Sequence, residues 1–102
     1  MKILILIFIY ANHIPKFYRL AIFAFMRKLK LIWDFRGATG LGTAKHHCIH
    51  LKEFAELEKL NYHLIDHQEI NDMWATAFIV VDEANMKIYR DALKPHRGEV
   101  FE

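Results

Sequence analysis

Histidine is the residue type in this sequence that most suggests chemistry. Seven of the 102 residues are histidine, and five of them lie between positions 46 and 67. Imidazole changes its charge near neutral pH, and it serves as a general base and as a metal ligand. A helix over this region turns by about 100° per residue. That rotation places His47 inside an apolar stripe, His50 at its border and His46 on the outer face.

His47 has two interpretations. In one, it is a polar group satisfied between a helix and a sheet. In the other, His47 and His50 line a pocket near the carboxyl end of the first strand, where Asp34 orients and charges the imidazole as an acid–base pair requires. Asp34 also fits a purely structural role at the start of a loop, where its carboxylate would accept hydrogen bonds from backbone N–H groups. The catalytic candidates are therefore Asp34, His47 and His50, and the sequence leaves open whether the protein is an enzyme.

A metal site is a further alternative for the histidines. His46 and His50 are one helical turn apart, His63 and His67 lie on one side of a strand, and zinc and copper accept imidazole. The sequence has no His-Glu-x-x-His pattern, no second cysteine and no carboxylate at a fixed ligand spacing. We therefore expect no physiological metal, and only adventitious nickel or copper on the exposed His46/His50 pair.

Cationic and aromatic residues supply the ligand-binding candidates. Arg36, His96 and Arg97 converge if the first and last strands are neighbours, and arginine binds a carboxylate through two parallel hydrogen bonds. The alternative is that all three lie on solvated loops. Trp33 completes the ligand-binding candidates, although Trp33 and Trp74 also fit anchors of a core or of a dimer interface.

Two other kinds of site are not expected. Cys48 lies on the buried stripe of the predicted helix, where a thiol packs rather than reacts. The glycines at 37, 40 and 42 match neither a phosphate loop nor a dinucleotide fingerprint. We expect no cofactor.

Composition and charge narrow the class of protein. Apolar residues make up 54% of the chain and only six residues are Gly or Pro, which excludes a disordered chain. A single cysteine excludes an internal disulfide framework and makes a reducing cytoplasm the expected location. The net charge is +2, and the basic excess lies in residues 1–25, which contain no acidic residue. This distribution argues against nucleic acid and against an anionic membrane as partners.

The first 25 residues have three interpretations. They are rich in isoleucine and phenylalanine, but no apolar run reaches the roughly 20 residues that a membrane-spanning helix needs. They fit a spurious extension before a true start at Met26, a membrane-associating or packed segment, or a signal sequence. We expect membrane association only if this extension is genuine, and we assign the domain to residues 26–102.

Hydrophobic periodicity and turn residues predict the elements of that domain. Four strands are predicted, at Lys28–Phe35, Tyr62–Ile70, Trp74–Val81 and, as a short last strand, Gly98–Phe101. Two helices are predicted: one is capped by Thr43 and ends near Leu60, and the other is Glu83–Leu93, capped by Asp82. A loop at Arg36–Gly42 follows the first strand, and a turn at Asn71–Asp72 joins the second and third strands.

The order β-α-β-β-α-β predicts an α+β, ferredoxin-like domain with a four-stranded antiparallel sheet and two helices on one face. The third predicted strand is apolar on both faces, which is typical of a strand buried on both sides. Two helices cover one face only. We therefore expect the other face to be covered by a second copy of the chain or by the N-terminal segment.

The predicted unit resembles the dimeric α/β-barrel superfamily and, within it, the YCII-related proteins. The resemblance spans residues 27–101 and depends on Asp34 with Arg36 and on the sequence His47-Cys48-Ile49-His50-Leu51. It implies a homodimer whose sheets close face to face.

Three functional hypotheses follow. The first is a small homodimeric protein that binds a small organic molecule, either neutral or anionic, between the sheet and the first helix and transforms it by acid–base chemistry. The second is a non-catalytic interaction or regulatory module that assembles through the open sheet face. The third is a membrane-tethered domain.

Overall fold

The computed structural model describes Tyr18 and residues 27–102. Tyr18 is the one described residue of the segment 1–25, so the interpretations of that segment lie outside the described residues. The elements of the domain follow in chain order: β1 Lys28–Arg36, α1 Gly40–Leu57, β2 Leu64–Asn71, β3 Trp74–Asp82, α2 Glu83–Leu93 and β4 Arg97–Phe101. The predicted order β-α-β-β-α-β is confirmed.

The four strands form one antiparallel sheet in the spatial order β2-β3-β1-β4. The first and third strands occupy the centre and pair along their whole length, from Lys28 opposite Asp82 to Arg36 opposite Trp74. The last strand lies beside the first, with Leu29 opposite Val100 and Ile32 opposite Arg97. This arrangement is the ferredoxin-like fold, with the C-terminal strand brought next to Asp34.

One face of the sheet carries both helices and the main core. Because side chains alternate along a strand, every second residue of β1 and β3 points to this face. The predicted stripe of α1 and Tyr89 of α2 pack against it. The buried residues of this core are Leu31, Trp33, Ala44, Cys48, Leu51, Ala55, Ile65, Ala75, Ala77, Ile79, Val81 and Tyr89. The spacing of Met86, Tyr89 and Leu93 predicts an inner face for α2, and the structure confirms it, since Met86 and Leu93 pack against the same cluster.

The second face of the sheet has a smaller apolar cluster formed by Ile32, Phe78 and Val80. The ammonium group of Lys30 lies 4.1 Å from the centre of the Phe78 ring. The third strand is therefore buried on both sides, as its sequence predicts. These three residues are buried within one chain, so their burial does not require a partner. The homodimer stays a prediction.

The first helix begins four residues earlier than the sequence pattern predicts. Its N-cap is Thr39, and Thr43 lies inside the helix, where its hydroxyl donates to the Thr39 carbonyl at 3.1 Å. Gly40 belongs to the first turn and not to a loop. A Cβ at Gly40 would lie 2.5 Å from the Phe35 carbonyl oxygen, so glycine is what allows the helix to start directly against the end of β1.

The second helix has the predicted bounds, but its N-cap side chain acts differently. The carboxylate of Asp82 accepts a hydrogen bond from Nε2 of His63 at 2.7 Å and thus ties the residues before β2 to the end of β3. The helix ends at Leu93. Its C-cap residue, Lys94, has a left-handed backbone conformation with φ of 49° and precedes Pro95. Of the two helices within residues 27–102, neither is long and apolar enough to cross a membrane.

Candidate functional site

Asp34 is the centre of a polar cluster on the second face of the sheet. Arg97 of β4 donates to its carboxylate from Nε at 3.0 Å and from Nη2 at 3.2 Å. The indole N–H of Trp74 on β3 donates to the same carboxylate at 2.9 Å. Three strands are thereby joined through one side chain.

His96 completes this cluster through the backbone. The N–H of Asp34 donates to Nδ1 of His96 at 2.8 Å, and the N–H of His96 donates to the Ile32 carbonyl at 2.9 Å. Nδ1 of His96 is thus the acceptor for a backbone donor of β1. His96 is therefore a structural link between the start of β4 and the edge of β1.

The electrostatics of the cluster keep Asp34 ionised. The hydrogen bond from Arg97 is the main cause that holds the pKa of this carboxyl below its ordinary value, and the Trp74 bond and the charge of Arg36 act in the same direction. The carboxylate in turn raises the pKa of Arg97. A carboxylate with a lowered pKa is a poor proton acceptor at neutral pH.

The predicted cationic candidates do converge, but their groups already have partners. The guanidinium of Arg36 lies 4.0 Å from the centre of the Trp74 ring, and Arg97 is neutralised by Asp34. His96 accepts from a backbone amide. The cluster is therefore largely satisfied by its own members, and it fits a structural role at the junction of β1, β3 and β4.

His47 lies on the other face of the sheet. Its ring packs between Trp33 and Phe35, with ring centres 4.8 and 5.4 Å away. Because Asp34 stands between these two residues in β1, its side chain points to the opposite face. The structure does not bring Asp34 and His47 together, and the expected acid–base pair is not formed.

The environment of His47 favours a neutral ring. Burial is the main cause that lowers its pKa, and the neighbouring His50 and His96 lower it further. Its Nε2 is buried and has no hydrogen-bond partner among the residues that the structure describes. His47 is thus a core imidazole with one unsatisfied nitrogen, neither the satisfied group nor the paired base that the sequence suggested.

The remaining histidines within residues 27–102 do not form one cluster. His46 and His50 are exposed on α1, with their Nε2 atoms 2.9 Å apart. His63 contacts Asp82, and Nδ1 of His67 lies 3.4 Å from Asp66. Across the described ranges, no three side chains of the types His, Cys, Asp and Glu are placed to hold one metal ion.

Trp33 and Cys48 belong to the core. Trp33 is buried, and its indole N–H donates to the Leu93 carbonyl at 2.9 Å, which ties β1 to the end of α2. This position fits an anchor and not a ligand-binding surface. Burial raises the pKa of the Cys48 thiol, so the thiolate is disfavoured, in accordance with a packing role.

A cleft between α2 and β4 is the feature that sequence reasoning missed. It has a volume of about 410 Å³, which lies in the range of small-molecule pockets. Its walls come from β1, α2, the residue Pro95 and β4. The lining residues are Leu29, Leu31, Met86, Arg90, Pro95, Arg97, Gly98, Glu99 and Val100.

The cleft exists because little side-chain volume fills the space beneath α2 at this edge. The second helix packs mainly on the central strands β1 and β3, and β4 lies further out. The residues of β4 that face the helix side are Val100, opposite Leu29, and Gly98, opposite Leu31. Gly98 has no side chain to fill the gap. A glycine within the short last strand was the available signal, since such a residue marks a close approach or an open space.

Arg90 provides the charge that faces this cleft. Arg90 and Met86 are four residues apart on α2 and so share one face of the helix. The Nε of Arg90 donates to the carboxylate of Asp91 at 3.1 Å. The two other charged residues of the lining contact partners on the second face of the sheet. Arg97 binds Asp34 there, and the carboxylate of Glu99 lies 3.9 Å from the ammonium group of Lys30.

No family model, no curated protein and no solved structure matches this chain. The fold is ferredoxin-like by its own topology. The resemblance to the dimeric α/β-barrel superfamily and to the YCII-related proteins stays a prediction.

Proposed function

We propose that this protein binds a small organic molecule with an apolar body and one anionic group in the cleft between α2 and β4. The observation that carries the proposal is the cleft itself, about 410 Å³ in volume, with mainly apolar walls and two arginines, of which Arg97 is already paired with Asp34. Small-molecule sites are typically concave and apolar, with few polar groups that fix the orientation of the ligand.

The apolar walls account for affinity. The apolar residues that surround the space are Leu29, Leu31, Met86, Pro95 and Val100. Of these, Val100 is half exposed to solvent. Covering such surface with a hydrocarbon ligand gains about 25 cal/mol per Å² of apolar area removed from water. A chain or ring of modest size is therefore favoured over a polar metabolite.

Arg90 accounts for the charge preference. A guanidinium presents its N–H groups in a fixed plane that matches the two oxygens of a carboxylate. Its Nε is engaged with Asp91, and its other guanidinium nitrogens have no hydrogen-bond partner among the described residues, so they can face a ligand. An apolar carboxylate fits both the walls and this arginine.

Binding is favoured over acid–base catalysis. Asp34 is held by Arg97 on the opposite face of the sheet, and His47 packs between two aromatic rings under α1. Neither lines the cleft. We therefore propose a binding protein and assign no reaction to the site.

The proposal is tested with octanoate and with octanamide, its uncharged analogue of the same length. We expect calorimetric titration to show tighter binding of octanoate. Arg90→Gln should weaken octanoate binding by about tenfold, equivalent to about 1.4 kcal/mol, and should leave octanamide binding unchanged. Lys87→Gln is the matched control, because it removes the same charge from α2 at a residue outside the cleft lining.

A second variant tests the location of the site. In Gly98→Leu the new Cβ would lie 3.4 Å from Cδ2 of Leu31, a flexible side chain, so the strand tolerates it while the leucine occupies the cleft. We expect binding of both ligands to disappear at an unchanged thermal midpoint. Undiminished octanoate binding by a folded Gly98→Leu protein would exclude this cleft as the site, and Gly98→Ala provides a milder comparison.

A further inference from the structure

We propose that His46 and His50 form a two-ligand chelate for a divalent transition-metal ion on the outer face of α1, with Cu²⁺ bound most tightly. The proposal is independent of the cleft. Its basis is the hydrogen bond that holds the Nε2 atoms of the two imidazoles 2.9 Å apart, in which a metal ion would replace the shared proton.

The distance between the two nitrogens fits a particular coordination geometry. With metal–nitrogen bonds of about 2.0–2.1 Å, a separation of 2.9 Å corresponds to an N–metal–N angle of about 90°. A tetrahedral ion would need the nitrogens about 3.4 Å apart at the same bond length. An angle near 90° is that of neighbouring ligands in the tetragonal or square-planar sites of Cu²⁺ and Ni²⁺.

The rings are also oriented for chelation. Their centres are 4.5 Å apart and their planes are nearly perpendicular, at 86°. Since the Nε2 atoms are closer together than the ring centres, both nitrogens are turned inward toward a common point. Residues four apart on a helix share a face, and the 18-residue length of α1 keeps this spacing fixed.

Glu53 supports one of the two ligands. Its carboxylate oxygen lies 3.6 Å from Nδ1 of His50, one helical turn further along. A carboxylate near the second ring nitrogen favours a proton on Nδ1 and leaves Nε2 as the donor atom for a metal, as outer partners of metal-bound histidines do. Both imidazoles are exposed, so water completes the coordination.

The affinity order follows from the ligand set. Imidazole nitrogens and water oxygens bind first-row divalent ions in the order Cu²⁺ above Ni²⁺, with Zn²⁺ below Cu²⁺. The near-90° angle adds to the preference for copper over zinc, because zinc favours tetrahedral sites.

The test uses the full chain, purified without an affinity tag and titrated with Cu²⁺ alone. We expect electron paramagnetic resonance to show two coupled nitrogens. In His46→Gln and in His50→Gln we expect one nitrogen and at least tenfold weaker binding. The control is His67→Gln, which removes one histidine from β2 and should keep both the affinity and the spectrum.

A second measurement separates binding from folding. Ni²⁺ should raise the thermal midpoint of the parent and of the control, because an ion that binds only the folded helix stabilises it. It should leave the midpoint of His46→Gln and of His50→Gln unchanged, and all four proteins should melt alike without metal. Undiminished affinity in the two α1 variants, or loss of binding in the control, would overturn the proposal.

Discussion

His47 shows how a single unsatisfied atom affects stability. Its buried Nε2 has no partner within the described residues, and such a group costs about 1–3 kcal/mol. His47→Leu should therefore stabilise the protein by about 1 kcal/mol at pH 7, measured by urea denaturation. Leucine keeps the packing against Trp33 and Phe35 and removes the nitrogen. A loss of more than 1 kcal/mol would mean that the imidazole makes a favourable interaction.

The same residue gives the parent a specific pH dependence. Burial lowers the pKa of folded His47 below the ordinary value of 6.5. As the pH falls below about 6.5, the unfolded chain therefore binds a proton before the folded chain does, and stability decreases. We expect the His47→Leu protein to lose less stability than the parent between pH 6.5 and pH 5. Parallel curves for the two proteins would contradict the lowered pKa.

Asp34 contributes to stability through its charge, and this contribution is lost at a lower pH than that of His47. Its folded pKa lies below the ordinary 3.8, chiefly because Arg97 donates to it. This contribution is therefore complete well above pH 3.8 and is lost as the pH falls through the folded value. Asp34→Asn should cost about 1 kcal/mol at pH 7, a modest value because Arg97 is half exposed and screened by solvent.

The control for that substitution is Glu99→Gln, which removes one charge from the same face but breaks only a 3.9 Å ion pair with Lys30. It should cost less than about 0.5 kcal/mol. Proton NMR adds a separate test, since Asp34 and His47 lie on opposite faces of the sheet. The titration of His47 should be the same in the parent and in Asp34→Asn, and a clear shift would show that the two residues interact.

At the level of elements, period-two and helical patterns predicted most of the fold. Apolar residues alternate in residues 28–35, and they form a stripe containing Ala44 and Leu51 in α1. Both patterns reflect burial against one core, so local sequence and tertiary structure agree there. The helix start was wrong because Gly40 and Gly42 look alike in sequence. Only the contact between Gly40 and the Phe35 carbonyl distinguishes them.

This difference between two glycines of α1 is itself testable. Gly40→Ala would place a Cβ 2.5 Å from the Phe35 carbonyl oxygen, and such overpacking should cost about 2 kcal/mol. Gly42→Ala is the matched control, because its Cβ would meet nothing within 4 Å in the described part of the chain. Alanine there should stabilise the helix by about 0.5 kcal/mol. Equal effects in urea denaturation would contradict the close packing of α1 on β1.

The candidate site was predicted less well than the fold, and for a physical reason. Sequence predicted that Arg36, His96 and Arg97 converge, because neighbouring strands bring them together. It could not show that the carboxylate already satisfies Arg97. The cleft escaped prediction because it depends on the distance between α2 and β4, which no local pattern encodes.

At the scale of the whole molecule, the homodimer implied by the resemblance stays a prediction. We expect sedimentation equilibrium of the full chain to give twice the 12.1 kDa chain mass. Because Ile32 and Val80 are buried within one chain, a partner would have to contact the more exposed edges of the second face, where Leu64 and Phe101 lie. A monomer at all concentrations would contradict the dimer and leave the cleft unaffected.

The central claim is that the ligand site is the cleft between α2 and β4. The most direct test is the ¹H–¹⁵N spectrum of the full chain during titration with octanoate. We expect the largest shift changes at the amides of Met86, Arg90, Gly98 and Val100, which surround the cleft, with little change at His47. Shifts concentrated around His47 and α1, or no saturable shifts at all, would contradict the proposed site.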